Sequence, residues 1–444
     1  MEKNSTMMMA VLLVVGLVIG GGVGYFMAPK EAAGEGETIT ITQDVLPMED
    51  YTVRIANLMS GTTSLETGVP WAEEVIEPAL ADYVEELGYD VTYTLLCDQA
   101  ESQAAVHLEK VQSFKAMDVK IIHGGGWSSM AQAALSYVNE NNVLLWSSSS
   151  TSPVLRIAND NLFRMCPDDT IQAPAICAAL DSWGVKGIVF IHRADAWADG
   201  IYNQMIPILE EMDIEVGDRV RYAGEVTEFS SYLATADIKI GELIDKYGAE
   251  HVAIEIISFS EATTMITQAI DYPNLWSVLW FGSDGTAMGS TTRDEAPEQA
   301  VHLRILSTYA SPPYKGPIFY HLMDESMRIS DTPVGYYTLA AYDLYHNIVE
   351  TTLMSQSEDP RDVIPLIPDT CYRTWGVSGW TELNDGGDRA RSDYDVWGYG
   401  NDETGTIAIT KFAHYYSADD SVAWPAIAES VDERPIEGLT PPGK

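Results

Sequence analysis

Three observations predict an α/β protein built on two doubly wound, mostly parallel sheets. From residue 51 onward, short apolar runs of strand length alternate with longer amphipathic stretches of helical period. The alternation breaks after Trp146 and restarts at Thr170, which describes two βαβ series rather than one. The composition is that of a folded chain, with 46% hydrophobic and 20% charged residues over a length of 444, room for two or three domains.

The chain begins with an apolar segment. Met7 to Met27 is a run of 21 residues without a charge. At about 1.5 Å per residue it reaches roughly 30 Å, the thickness of a bilayer's hydrocarbon core. The apolar region of a secretory signal is shorter, about 7–15 residues, and ends in a small-residue cleavage site. This run ends in Tyr25, Phe26, Met27, Ala28 and Pro29 without such a site, and no cysteine is at hand for lipid attachment. An uncleaved transmembrane helix is therefore expected in residues 1–29, with a cleaved signal as the alternative. Residues 30–50 are acidic and carry Gly and Pro, the composition of a linker. Everything after them is expected on the exported side of the cytoplasmic membrane, at the cell surface or in a periplasm-equivalent space.

In the first series, strands are expected at Val53–Met59, Val91–Leu96, Val119–His123 and Val143–Trp146, with helices at Val69–Leu87, Glu101–Met117 and Ser128–Asn141. In the second, strands are expected at Gly187–His192, Val216–Tyr222, Val252–Ile257 and Ser277–Phe281. Its helices are Thr170–Trp183, Gly200–Met212, Ser230–Tyr247 and Ser260–Ile270. Residues 316–356 read as helical, and 376–415 as short strands and turns.

Charge narrows the function. The chain has 25 Lys+Arg against 66 Asp+Glu, a formal net of −41. Glu2, Lys3 and Lys30 are the charged residues of the first thirty, so the acidity belongs to the exported body. Such a surface does not neutralise phosphates, which argues against nucleic acid, and it is repelled by anionic lipid headgroups. Its field favours a cation or zwitterion over a free organic acid. Cys97, Cys166, Cys177 and Cys371 form no CxxC pair, so no zinc module is indicated.

Ligands of doubly wound sheets bind beyond the carboxyl ends of the strands. The loops there hold Ser60, Trp127, Ser128, the run Ser147 to Thr151, Trp197, Phe259 and Asp284. Hydroxyls at helix starts, aromatics and a carboxylate suit a small-ligand cleft. No P-loop, HExxH or GxSxG occurs, so no catalytic residue, metal or cofactor is expected. His123 ends a strand beside the cleft and reads as structural or ligand-touching. Asp195 and Asp199, flanking Trp197, read as solvated loop acids rather than a catalytic pair. Asn384, Asp385, Asp388, Asp393 and Asp395 miss the calcium-loop spacing and read as a turn.

Six segments in order resemble one family. They are IANLMSG at 55–61, GGGWSS at 124–129, SSSSTSPVL at 147–155, FRMCPDDTIQ at 163–172, FGSDG at 281–285, and GVSGWTELNDGGDR at 376–389 followed by YDVW at 394–397. Over residues 51–415 the chain resembles the type I periplasmic substrate-binding proteins of ABC transporters, in the branch of the leucine/isoleucine/valine-binding protein. The resemblance implies two Rossmann-like lobes joined by three hinge crossings, near 165–170, 307–314 and 370–376, and closing around a ligand. Lobe one would comprise 51–167 and 315–370, lobe two 168–306 and 376–415, with a tail at 416–444.

The resemblance also implies a site. An amino-acid carboxylate would be held by Ser128, by the backbone at Ser149 and by Thr151, with Ser150 and Trp127 in the same loops. The ammonium would sit on Asp284, helped by Asp169, while Trp197 and Phe259 cover the ligand from lobe two. Three alternatives stay open: the serine run as a polar turn, the tryptophans as interlobe packing, and Asp284 as a helix cap. Ser148 replaces the family's proline, and Glu66 or Thr67 falls where an aromatic often stands, so side-chain specificity does not carry over. The expected role is a solute-binding receptor that delivers an amino acid or related small amine or amide to the permease and ATPase of an ABC importer. The alternative is a ligand-sensing domain that signals through a partner chain; only six residues precede the apolar run, which favours transport.

Overall fold

The computed structural model describes residues 48–431 and 434–442. The membrane span expected at 7–27 lies outside the described residues, among which no helix is long and apolar enough to cross a membrane.

The first sheet is built from β1 (Tyr51–Met59), β2 (Val91–Gln99), β3 (Ile121–His123), β4 (Leu144–Ser147) and β5 (Leu162–Pro167). The second begins with β6 (Gly187–Arg193), β7 (Glu215–Val216), β8 (Val220–Tyr222), β9 (Val252–Ile257), β10 (Leu279–Gly282) and β11 (Leu306–Ser311). β12 (Trp375–Gly376) and β13 (Gly379–Trp380) form a small hairpin, and β14 (Asp388–Arg389) returns to the first sheet beside β5. β15 (Asp393–Asn401), β16 (Ile407–Tyr416), β17 (Ser421–Ala423), β18 (Ile427–Ser430) and β19 (Pro435–Glu437) extend the second sheet. Residues beyond 415, set apart above as a tail, thus continue that sheet.

The spatial order of the first sheet is β2-β1-β3-β4-β5-β14, parallel throughout. The core of the second repeats it, β7-β6-β9-β10-β11, again parallel. Strand order reverses between β1 and β3 in one sheet and between β6 and β9 in the other. These are the switch points at which doubly wound sheets leave a crevice. β15 then runs antiparallel to β11 and closes the edge.

The central parallel strands, such as β4, β9 and β10, are buried on both faces, which is why they read as continuous apolar runs. One core lies on each face of each sheet. The helix Asp169–Trp183 serves two of them, with Ala175 and Ala178 facing the first sheet and Ile176 and Leu180 the second. Asp168 caps its start by accepting from the Thr170 amide, and Gly184 ends it at φ 88°, a left-handed conformation that favours glycine.

Some expected boundaries move. The helix expected from Val69 begins at Thr62, runs through Pro70 and opens into a wide π turn at Ala72–Ile76. Proline lacks the N–H that would continue the ladder, so the turn beside it loosens. The strand expected at Val216–Tyr222 is two short pieces separated by Gly217, Asp218 and Arg219. β5 and β11 were not expected as strands. Arg164 interrupts the apolar run in one, and LSTYAS in the other is mostly polar or aromatic.

Candidate functional site

The two switch points face each other, and aromatic rings join them. Trp127 stands at the end of the β3 loop, Trp197 in the helix after β6, and Phe259 just after β9. Phe259 stacks on Trp197 with centroids 4.4 Å apart and planes at 3°, and on Trp127 at 5.2 Å and 20°. The Arg193 guanidinium lies 4.8 Å from the Phe259 centroid, held by ion pairs to Asp195 and Glu261. The Ser152 hydroxyl donates to the Ala196 carbonyl across the same gap, at 2.6 Å. Gly285 makes this closeness possible, because a Cβ there would run into the Ser258 carbonyl and the Trp197 ring.

The serine run is mostly engaged with itself. The Ser147 hydroxyl accepts from the Ser149 and Ser150 amides at 3.2 and 3.0 Å, and donates to the Gly125 carbonyl at 3.0 Å. The Ser149 hydroxyl donates to the Gly126 carbonyl at 2.9 Å, and that of Ser150 donates to Gly125. Ser150 therefore shapes the loop. Two hydroxyl protons remain unspent. Ser128 accepts from the Ser152 amide at 3.1 Å through its oxygen, and the buried Thr151 hydroxyl lies beside Asp169 without reaching hydrogen-bonding geometry.

Beneath the loop lies Arg164, fully buried on β5. It donates to the Ser150 and Ser152 carbonyls at 2.9 and 2.8 Å and pairs with Asp388 at 2.5 Å, both side chains at 0% exposure. Asp388 opens β14 directly after the turn at 384–387, where Asn384 accepts from the Gly386 amide at 2.8 Å. Among the described residues no group of His, Cys, Asp or Glu is arranged to hold a metal.

Deeper in the cleft are two carboxylates. Asp169 is buried, neither of its oxygens reaches hydrogen-bonding geometry, and its backbone amide donates to the Thr151 carbonyl at 2.9 Å. Burial, and then the charge of Asp284, push its pKa well above the usual carboxylate range, against a smaller opposing pull from the Thr151 hydroxyl. Burial likewise raises Asp284, partly offset by the Tyr337 hydroxyl that donates to its Oδ2 at 2.5 Å and by Gln172. Its Oδ1 is buried without a partner. Tyr309 stands edge-on to Tyr337 at 5.1 Å, and burial with the two carboxylates raises Tyr394.

The expected residues thus fall into three groups: Ser128 and Thr151 with free hydroxyl protons, Asp169 and Asp284 as a carboxylate pair, and Trp127, Trp197 and Phe259 as one stack. Tyr337 and Gln172 escaped sequence reading. Tyr337 sits in the run GYYT at the start of a helix, where the only visible signal was helical period. Both ring nitrogens of His123 are engaged, with Tyr345 at 2.8 Å and Ser148 at 3.1 Å, and burial lowers its pKa to about 4. Asp195 caps the helix after β6, while Asp199 pairs with Arg221. All four cysteines are free.

Comparison with known proteins follows this geometry. Residues 81–402 match the family described as receptor family ligand binding region. An uncharacterised protein of Methanocaldococcus jannaschii is 25% identical over 349 residues, 73% of this chain and 80% of its own length. Among solved structures, the branched-chain amino acid transporter substrate-binding protein LivJ from Streptococcus pneumoniae, in complex with isoleucine, superposes with a TM-score of 0.65 at 17% identity, covering 84% of this chain and 100% of its own. The leucine-binding protein LivK from Thermotoga maritima does so at 0.62 and 19%, covering 86% and 99%. The fold is that of the type I periplasmic binding proteins, as the loop resemblance implied.

Proposed function

The chain belongs to the receptor ligand-binding-region family, and on that premise we propose that it is an extracytoplasmic receptor capturing an amino acid or related small amine or amide between its two sheets. The observation that carries this reading is the pair Asp169 and Asp284, buried together with unpartnered oxygens and, among the described residues, no basic side chain paired to either. Two carboxylates so placed are costly to ionise alone and are relieved by an ammonium or another strong donor. Ser128 and Thr151 supply the opposite end, hydroxyl donors for a carboxylate or carbonyl. The aromatic stack shuts the cleft over the ligand.

Delivery to the permease and ATPase of an ABC importer, with segment 7–27 as the membrane anchor, is the reading that the substrate-binding proteins of like fold support. Ligand sensing through a partner chain is the second reading, favoured by the receptors included in the family's description. Neighbouring permease and ATPase genes would favour the first.

A thermal-shift screen against amino acids, amides and small amines tests the capture. A ligand at a hundred times its Kd stabilises by about 2.7 kcal/mol, a readily seen shift. Asp284→Asn is expected to abolish the shift for any amine while the protein remains folded. An undiminished shift in that variant sinks the ammonium assignment.

A further inference from the structure

Away from the cleft, a cavity of about 540 Å³ is walled by residues from all three segments that pass between the sheets. Ile171 comes from the helix that follows β5, Pro313 from the turn after β11, and Arg389 to Ser392 from the link between β14 and β15. The size suits a small organic ligand.

Its wall holds a buried cation with no carboxylate in contact. Arg389 is 2% exposed, and among the described residues no carboxylate lies within ion-pairing distance of it. Its two terminal nitrogens donate to the Ser378 hydroxyl and carbonyl, both at 2.9 Å, and its Nε has no partner. The buried Asp343 carboxylate stands one hydroxyl away: it accepts from Ser378 and feels the Arg389 charge across it, without touching the guanidinium. In a chain with 66 acidic residues, a buried guanidinium that touches none of them and keeps a free Nε is conspicuous. A buried charge wants an opposite charge.

The other acids at the cavity are already engaged. Glu382 pairs with Arg391 at 3.3 Å, and Asp393 accepts from the Ser417 amide and hydroxyl at 2.8 and 2.6 Å. Arg391 is mostly exposed and adds a second guanidinium at the mouth. Beside it the Trp375 indole is 65% exposed, an apolar plate facing open space.

We propose that this hinge cavity is a second binding site, distinct from the cleft, for a small planar organic anion. Its carboxylate meets the Arg389 and Arg391 guanidiniums, and its flat body lies on Trp375. A molecule seated there touches all three crossings and ties them together.

Indole-3-carboxylate is the probe, added to the full chain and followed by titration calorimetry and amide hydrogen exchange. Saturable binding is expected, with exchange slowed in 168–171, 311–316 and 389–393. Trp375→Ala and Arg391→Ala, both at exposed positions, are each expected to weaken binding at least tenfold, while Asp284→Asn leaves it unchanged. Absence of saturable binding overturns the proposal. So does undiminished affinity in both surface variants, or protection confined to the cleft loops 124–128 and 147–151.

Discussion

Asp169 and Asp284 face the same physical difficulty side by side. Each is removed from water, and the ionised form of either raises the cost of ionising the other. Their folded-state pKa values stand above the ordinary 3.8. A raised folded value means that the folded state holds its protons longer. The stability they contribute is therefore complete below about pH 4 and is lost as the pH climbs through their folded values. An ammonium ligand needs the ionised forms, so its affinity runs the other way. Calorimetry at pH 5 and pH 8 is expected to show tighter amine binding at pH 8, with proton release on binding at the lower pH. Equal affinities at both would place the ligand away from these carboxylates. The pair itself was half legible: FGSDG pointed to Asp284 through its place after a strand, whereas the weight of Asp169 depends on how close the fold brings it to Asp284.

At the scale of elements, β5 and the segment through β14 act together as the base of the site. Arg164 on β5 satisfies the carbonyls that the serine loop turns inward, and Asp388 balances its charge. Removing one partner of a fully buried pair leaves the other uncompensated, at a cost of about 3–5 kcal/mol. Asp388→Ala is expected to lower the urea midpoint accordingly, whereas a surface pair such as Arg361–Asp359 is worth at most about 1 kcal/mol. A loss below about 1 kcal/mol for Asp388→Ala would show that the pair braces nothing. The turn read from the sequence is present at Asn384 to Gly387, but Asp388 itself opens β14, and Asp393 and Asp395 lie on β15. The ion pair of Asp388 spans 224 residues and has no local signature.

Across the whole molecule, Trp127, Phe259 and Trp197 connect the switch point of one sheet to that of the other. The closed arrangement therefore rests on ring stacking as well as on whatever the cleft holds. An aromatic pair contributes about 0.5–1.5 kcal/mol beyond its buried area, so removing one ring lowers the closed-to-open ratio by roughly threefold to tenfold. Trp127→Ala is expected to broaden the small-angle scattering distance distribution of the ligand-free protein and to restore the compact profile when ligand is added. An unchanged profile would mean that the hinge, not the stack, holds the closed form.

Most of the architecture was determined by the sequence alone. The period of its apolar runs dictates which segments become buried parallel strands and which become covering helices, because burial on two faces and burial on one leave different patterns. The order of the loops then placed Ser128, Thr151, Trp197, Phe259 and Asp284 at strand ends. Only the tertiary structure decided which hydroxyl protons remain unspent, that Asp169 and Asp284 share one buried environment, and that Arg389 touches no carboxylate at the hinge. The physical reason is the same in each case. Hydrogen-bond saturation and charge balance are set by neighbours in space, and here those neighbours lie tens to hundreds of residues apart along the chain.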